Sequence, residues 1–413
     1  MEQEKKDLVR GSLIGGAAGD ALGYTVEFMR YNQILQKYGH PGITDYELRG
    51  GAALISDDTQ MTLFTANGML MGLTRHYMRG IGSQPHFYVL AAYLDWYYTQ
   101  TRTYHDIMDA SRHEKHSRHT WLSAIPTLYA RRAPGYTCMS AIEDIIHSRT
   151  PKNDSKGCGG VMRVAPWPLL CATQRHNMSI EMIDMAGGEI ARLTHKHPLG
   201  WMPAMVMTHV IYRILGEAGF KALQPDSQRE RLRQMVDEAL DMLPTMVMPD
   251  NIHTSELTWP ADKPFGAVFP KDIQYLSSLL KKALLLAEND AEDIDNIRLL
   301  GEGWVAEETL AIALYAVSRH IDNFADCMIA SVNHDGDSDS TGAVAGNILG
   351  AIIGYEAIPA RFKQNLELHD VILAVADDLH QGCIVSEYDY DRTPAKQQWL
   401  DRYCDMQPAG IKI

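Results

Sequence analysis

Along most of this chain apolar residues recur three and four positions apart, the spacing that lines one face of an α-helix, and no convincing two-residue alternation appears. The spacing predicts helices over Phe87 to Tyr98, Ser179 to Leu193, Gly200 to Leu215, Arg229 to Leu243, Ile273 to Glu288, Trp304 to Ser318 and Leu366 to Leu379. A further short helix should follow the turn Ala133-Pro134-Gly135. Turn signals at Gly39-His40-Pro41-Gly42 and Gly50-Gly51 make Tyr31 to Leu54 a loop. The polar, His- and Arg-rich run from Thr101 to His119 reads as a surface excursion, the proline-punctuated stretch Pro244 to Pro270 as a loop, and 386–413 as a polar tail. About a dozen helices without a fixed repeat predict one all-α domain over 1–385 with that tail attached, and disfavour a solenoid.

Two segments carry a second pattern. Gly11, Gly15, Gly19 and Gly23 recur at every fourth residue, as do Gly342, Gly346, Gly350 and Gly354, with Leu, Ile, Val and Ala between them. At about 3.6 residues per turn each set lines one face of a helix, and a face without side chains lets another helix approach closely. The two glycine faces are therefore expected to pack as a buried pair. The uncharged run after Asp339 is too short to span a bilayer.

Composition narrows the function classes. The 413 residues carry a formal net charge of -14, which argues against a broad basic surface for nucleic acid and leaves nucleic acid only as a modified substrate. Hydrophobic residues at 46% and a mean hydropathy of -0.22 describe an ordinary globular chain. The charged start Met1 to Lys6 is followed by no long apolar run, so neither a signal peptide nor a membrane span is expected. Six cysteines are scattered without a CxxC pair, which fits a reduced, cytoplasmic setting and no zinc or disulfide framework.

The chemistry concentrates in two acidic loops, each running into a helix-like segment. One is Ser56-Asp57-Asp58-Thr59; the other is His334-Asp335-Gly336-Asp337-Ser338-Asp339-Ser340-Thr341, with carboxylates at i, i+2 and i+4. Carboxylates and hydroxyls are hard oxygen ligands, and so many acids brought together would repel unless a cation, or a pair of them, sat among them. The loops are expected to be two halves of one metal centre. For Asp57 and Asp58 taken alone, capping of a helix N-terminus is the competing explanation. Asp337-x-Asp339-x-Thr341 also matches a phosphatase nucleophile motif, but the buried strand that motif needs is absent before it. An EF-hand loop from Asp335 fails at Ser340 and Gly346, where Gly and Glu are required.

Three further features stay open on local grounds. Gly157-Cys158-Gly159-Gly160 is either a turn or a cradle bringing backbone N–H groups to a phosphate ahead of the helix-like Val161-Met162-Arg163. His195 reads as a surface or capping histidine, and Asp20 and Glu27 as solvated acids.

In content and order, Gly16 to Gly23 with Glu27, then Ser56 to Thr59, then Lys156 to Pro166, then Thr194-His195, then Gly336 to Thr341 resembles the ADP-ribosylglycohydrolase family, over nearly the whole chain to about Leu379. The resemblance implies a compact orthogonal all-α domain with a dinuclear cleft holding two Mg²⁺ or Mn²⁺ ions. It also implies hydrolysis of an N- or O-glycosidic bond at C1″ of ADP-ribose in a modified protein or small molecule. Carried over by motif, Ser56, Asp57, Asp58, Asp337, Asp339 and Ser340 would ligate the metals. Glu27 would sit on a segment that closes over the site, and Gly157, Cys158, Gly159, Gly160 and His195 would contact the ADP-ribose. Asp58 or Asp339 would accept the proton of the attacking water, with Glu27 in the same catalytic set. This chain departs from the family pattern at Cys158, where Asn is usual, at Ser340 for Thr, and at Asp335 for Gly. The competing readings are a non-catalytic ADP-ribose-binding or structural member and a metal-dependent phosphoesterase.

Overall fold

The computed structural model describes residues 2–113, 118–174, 176–247, 263–389 and 391–411, with the side chains of 110–113 outside that description. Among the described residues there are nineteen α-helices and five short 3-10 helices. Among them no strand is formed, only isolated bridges such as Ala53 with Leu366. The expected helices are present as Pro85–Thr101, Tyr136–Ile146, Ile180–Arg192, Pro198–Gly216, Pro225–Met242, Pro270–Leu286, Ala306–Arg319 and His369–Gln381. Four of these begin on proline, at 85, 198, 225 and 270. Proline's fixed φ suits the first helical position, so these helices start before their apolar pattern does.

At the centre, helix Glu2–Tyr24 lies antiparallel against helix Ser338–Ile353. The glycine stripes interlock as the spacing requires. A Cβ on Gly11, Gly15, Gly19 or Gly23 would fall well under 3 Å from the carbonyls of Gly350, Gly346, Gly342 and Ser338 in turn. Side chains along the second helix are buried from Ser338 to Ile352. Backbone thus packs on backbone, and the close approach compensates for the low helix propensity of glycine.

Three segments differ from the sequence reading. Tyr31–Tyr38, within the expected loop, is a helix whose one buried residue is Ile34. Tyr104–His113, within the expected surface excursion, is a helix anchored by buried Ile107. In the expected polar tail, Pro394–Tyr403 is a helix with buried Trp399 and Tyr403; Trp399 Nε1 donates to Thr74 Oγ1 at 3.0 Å and Arg402 pairs with Asp378 at 2.8 Å. In each case one or two apolar anchors are too few to produce a periodic signal, and tertiary docking supplies the stability. Of the Pro244 to Pro270 loop, residues 248–262 lie outside the description, and the short helix Phe265–Val268 precedes Pro270. Among the described residues no helix is long and apolar enough to cross a membrane.

Candidate functional site

The antiparallel pairing brings the end of the first helix to the start of Ser338–Ile353, where Gly23 lies against Ser338. A third helix, Asp57–Arg79, starts at the same place. Ser56 is its N-cap, accepting from Asp58 N at 3.2 Å, and Asp337 caps the other, accepting from Ser340 N at 3.4 Å. Both acidic loops are therefore helix caps and also meet in space, so capping and clustering are not alternatives. Asp20 joins them. Its carboxylate, fully buried, accepts from Ser56 N at 2.9 Å, from Thr59 N at 3.1 Å and from the Thr59 hydroxyl. Asp20 is thus no solvated acid but the tie between the first helix and the first acidic loop.

A cavity of about 190 Å³ opens above this junction, lined by Glu27, Asp57, Asp58, Asp337, Asp339 and Ser340 on one side. Glu27 is also buried, contrary to its local reading, and it, Asp337 and Asp339 each offer an oxygen within 4.8 Å of the others'. Asp57 Oδ2 accepts from Gly135 N at 3.2 Å, whereas Glu27 Oε2 and Asp58 Oδ2 are buried with no hydrogen-bond partner. Ser56, expected among the ligands, does not line the cavity; its hydroxyl meets Asp339. Asp335 is turned away from the cluster: it pairs with Arg298 at 3.0 Å and accepts from Tyr31 N at 2.9 Å. The i, i+2, i+4 spacing does not point all three acids one way, because the helix begins between them and rotates Asp337 and Asp339 inward.

Burial first, and the charge of Asp339 second, push the Asp57, Asp58 and Asp337 carboxyls well above the ordinary range. The same causes raise Glu27 to about 10 and Asp20 to about 7. Hard oxygen donors, two buried oxygens without a partner and charges that cannot all coexist are the properties of a site that fits a divalent cation.

The opposite wall carries Gly157, Cys158, Gly159 and His195. His195 is neither exposed nor a cap: it is 2% exposed, its Nδ1 lies 2.9 Å from Thr194 Oγ1, and burial, helped by Arg163 and Lys196, lowers it to about 3. A Cβ on Gly159 would strike Cys138 Sγ and the His195 ring, so glycine there is what lets the imidazole reach the wall. Cys158 Sγ donates to Asp337 Oδ2 at 2.9 Å, linking this wall to the acids. Gly157 N donates to Ser155 Oγ at 3.3 Å and Cys158 N to Trp304 O at 3.3 Å, so two of the loop's amides are already committed. Gly160 lies behind the wall, against Gly200 and Ala191. Val161-Met162-Arg163 is a turn, and the helix begins only at Pro166.

A profile of the ADP-ribosylglycohydrolase family matches residues 1–388. The chain belongs to the ADP-ribosylglycohydrolase family. It is 25% identical over 368 residues to the ADP-ribosyl-[dinitrogen reductase] glycohydrolase of Rhodospirillum rubrum, a match that covers 88% of this chain and 91% of that protein. It is 25% identical over 240 residues to the ADP-ribosylhydrolase ARH3 of Bos taurus, covering 55% of this chain and 58% of that protein. Among solved structures, an ADP-ribosylglycohydrolase-related protein complex superposes with a TM-score of 0.56 at 22% identity, over 92% of this chain and 99% of that one. The all-α fold is thus that of the ADP-ribosylglycohydrolases.

The cavity of this family member also has lining residues that the sequence did not single out. Trp304 and Tyr136 line the cavity mouth, Tyr136 being 83% exposed, and Phe28 stacks on Trp304 with ring centroids 6.1 Å apart. Ala133, Gly135, Thr137, Cys138 and Met162 complete the lining. The one local signal was an aromatic directly after glycine, at Gly135-Tyr136 and Gly303-Trp304, which is too common in loops to single out a site.

Proposed function

We propose that this chain hydrolyses the N- or O-glycosidic bond at C1″ of ADP-ribose joined to a protein or small molecule, with two divalent ions, Mg²⁺ or Mn²⁺, as cofactors. The observation that carries the reading is the pair of partnerless buried oxygens, Glu27 Oε2 and Asp58 Oδ2, in one acidic cavity whose other wall presents a neutral His195. Asp57, Asp58, Asp337, Asp339 and Ser340 would hold the ions, with Ser56 supporting Asp339 through its hydroxyl. Ions held there would supply Lewis acidity toward the ribose oxygens and the attacking water.

The chain's own residues do the rest. Asp339 Oδ1 is occupied by Ser340 N at 2.9 Å, while Asp58 Oδ2 has no partner, which favours Asp58 over Asp339 as the acceptor of the water's proton. Glu27, on the turn following the first helix, covers the cluster and excludes solvent from it. The Gly157 to Gly159 wall and His195 orient the ADP-ribosyl group, and Trp304 and Tyr136 flank the mouth through which it enters. The activities named for the relatives, on ADP-ribosyl-[dinitrogen reductase] and, for a 31% identical match over 98 residues, on ADP-ribosylarginine, support a modified protein side chain as the substrate.

The test is incubation of the protein with ADP-ribosylated arginine, serine and nucleobase compounds in Mg²⁺ or Mn²⁺, with products separated by mass. Release of ADP-ribose is expected. AMP would indicate a phosphoesterase, and ADP-ribose binding without turnover a non-catalytic member.

A further inference from the structure

Arg163 is fully buried, and among the described residues no carboxylate lies within ion-pair distance of it. An unpaired buried cation is costly, so its charge must be met by dipoles. One guanidinium nitrogen, Nη2, donates to Ile190 O at 3.3 Å and Ala191 O at 3.4 Å, in the last turn of helix Ile180–Arg192, where the helix dipole is negative. Nη1 faces Cys138 Sγ at 3.3 Å, and the group lies over the Tyr93 ring at 4.7 Å. The shortest contact, 2.7 Å, is from Nη2 to Thr194 Oγ1, the hydroxyl that also meets His195 Nδ1.

That geometry determines where protons sit. Thr194 Oγ1 accepts from the cation, and its own proton has three acceptors in reach, His195 Nδ1 at 2.9 Å, Ala191 O at 3.4 Å and the Cys138 sulfur. Ala191 O already accepts from Thr194 N at 3.3 Å, His195 N at 3.2 Å and Arg163 Nη2 at 3.4 Å, and a thiol sulfur is a weaker acceptor than an imidazole nitrogen, so the hydroxyl proton goes to Nδ1 and Nδ1 is an acceptor. A neutral imidazole carries one proton, which is then on Nε2. Nε2 is the nitrogen that faces Gly157 at the cavity wall.

We propose that Arg163 and Thr194 are positioning residues that hold His195 in its Nε2–H tautomer, so that the cavity offers a neutral hydrogen-bond donor to the diphosphate of an ADP-ribosyl group. The choice of diphosphate rests on the hydrolase reading above; the tautomer does not. Arg163 works from behind the wall, through Thr194, and touches no reacting atom. Burial and the same guanidinium keep the imidazole uncharged, which leaves donation from Nε2 as its one mode of binding an anion.

The experiment is nitrogen NMR of the full-length protein labelled at histidine, with the His195 signals assigned by their loss in His195→Gln. Wild type is expected to show Nε2 protonated and Nδ1 bare across the neutral pH range. Thr194→Val, nearly isosteric and free of any charge change, should move the proton population toward Nδ1, and Thr194→Ser should restore it. Arg163→Gln should shift the tautomer in the same sense by freeing the Thr194 hydroxyl to accept. Thr194→Val should weaken ADP-ribose binding and raise KM by about tenfold or more, the loss of one hydrogen bond to a charged group, with kcat little changed. An Nδ1-protonated wild type, or a Thr194→Val protein with the wild-type tautomer, overturns the proposal. Because the tautomer is read without substrate, an Nε2–H histidine in a protein that releases no ADP-ribose would instead overturn the hydrolase reading.

Discussion

Gly19 and Gly342 face each other across the central helix pair, and the space a Cβ would need on either one is filled by the other's carbonyl. Repeated at Gly15 with Gly346 and Gly11 with Gly350, this reciprocal contact sets the separation of the two helices and therefore the position of Asp20 and Glu27 relative to Asp337 and Asp339.

Replacing Gly15 or Gly346 by leucine should accordingly destabilise the protein by roughly 3 kcal/mol or more, since neither backbone can retreat from an inserted side chain. Urea denaturation midpoints equal to wild type for both variants would contradict the interlocked packing.

Removing one acid from the cavity separates stability from activity. Asp58→Asn and Asp337→Asn should each abolish most turnover yet melt no earlier than wild type in EDTA, because each relieves repulsion among buried carboxylates. Wild type should gain about 2.7 kcal/mol from Mg²⁺ or Mn²⁺ at a hundred times the dissociation constant, and the variants much less. Since the acids act as a unit, the double variant should be scarcely worse than the worse single one. Independent, multiplying losses would count against a shared site.

The same acids give the metal-free protein an unusual pH dependence. With Asp20 raised to about 7 and Glu27 to about 10, against unfolded values of about 4, the folded state retains protons that the unfolded chain has released. Their contribution is therefore fully present in acid below the unfolded values and is lost as pH rises through neutrality toward the folded ones. Melting in EDTA should occur at lower temperature at pH 8 than at pH 6 (about one unit either side of the Asp20 value), and saturating divalent metal should flatten the difference. A metal-free melting temperature that climbs over this interval would show that the acids are ionised without cost.

Cys158→Ala should fold normally and change ADP-ribose affinity only modestly, as its thiol donates to Asp337 Oδ2 and its amide, which the variant keeps, is already held by Trp304 O. Complete loss of binding, measured by calorimetry, would make the thiol itself part of the ligand site.

What the sequence determined by itself was everything carried by local periodicity: the all-α class, the long amphipathic helices, and the two glycine faces, whose shared four-residue repeat told that they pack together. It also placed Asp57, Asp58, Asp337 and Asp339 at helix starts, because caps are read over a few residues. The pairing of the two acidic loops was expected from their like design, and tertiary structure decided which other acids join them. Asp20 and Glu27 look like surface acids until the first helix buries them, Asp335 looks like a ligand until Arg298 and Tyr31 draw it outward, and His195 looks exposed until Gly159 lets it lie against the wall. The short helices Tyr31–Tyr38, Tyr104–His113 and Pro394–Tyr403 were hidden for the same reason. Burial, ion pairing and docking depend on partners hundreds of residues away, and their energies leave no periodic trace in the segment that receives them.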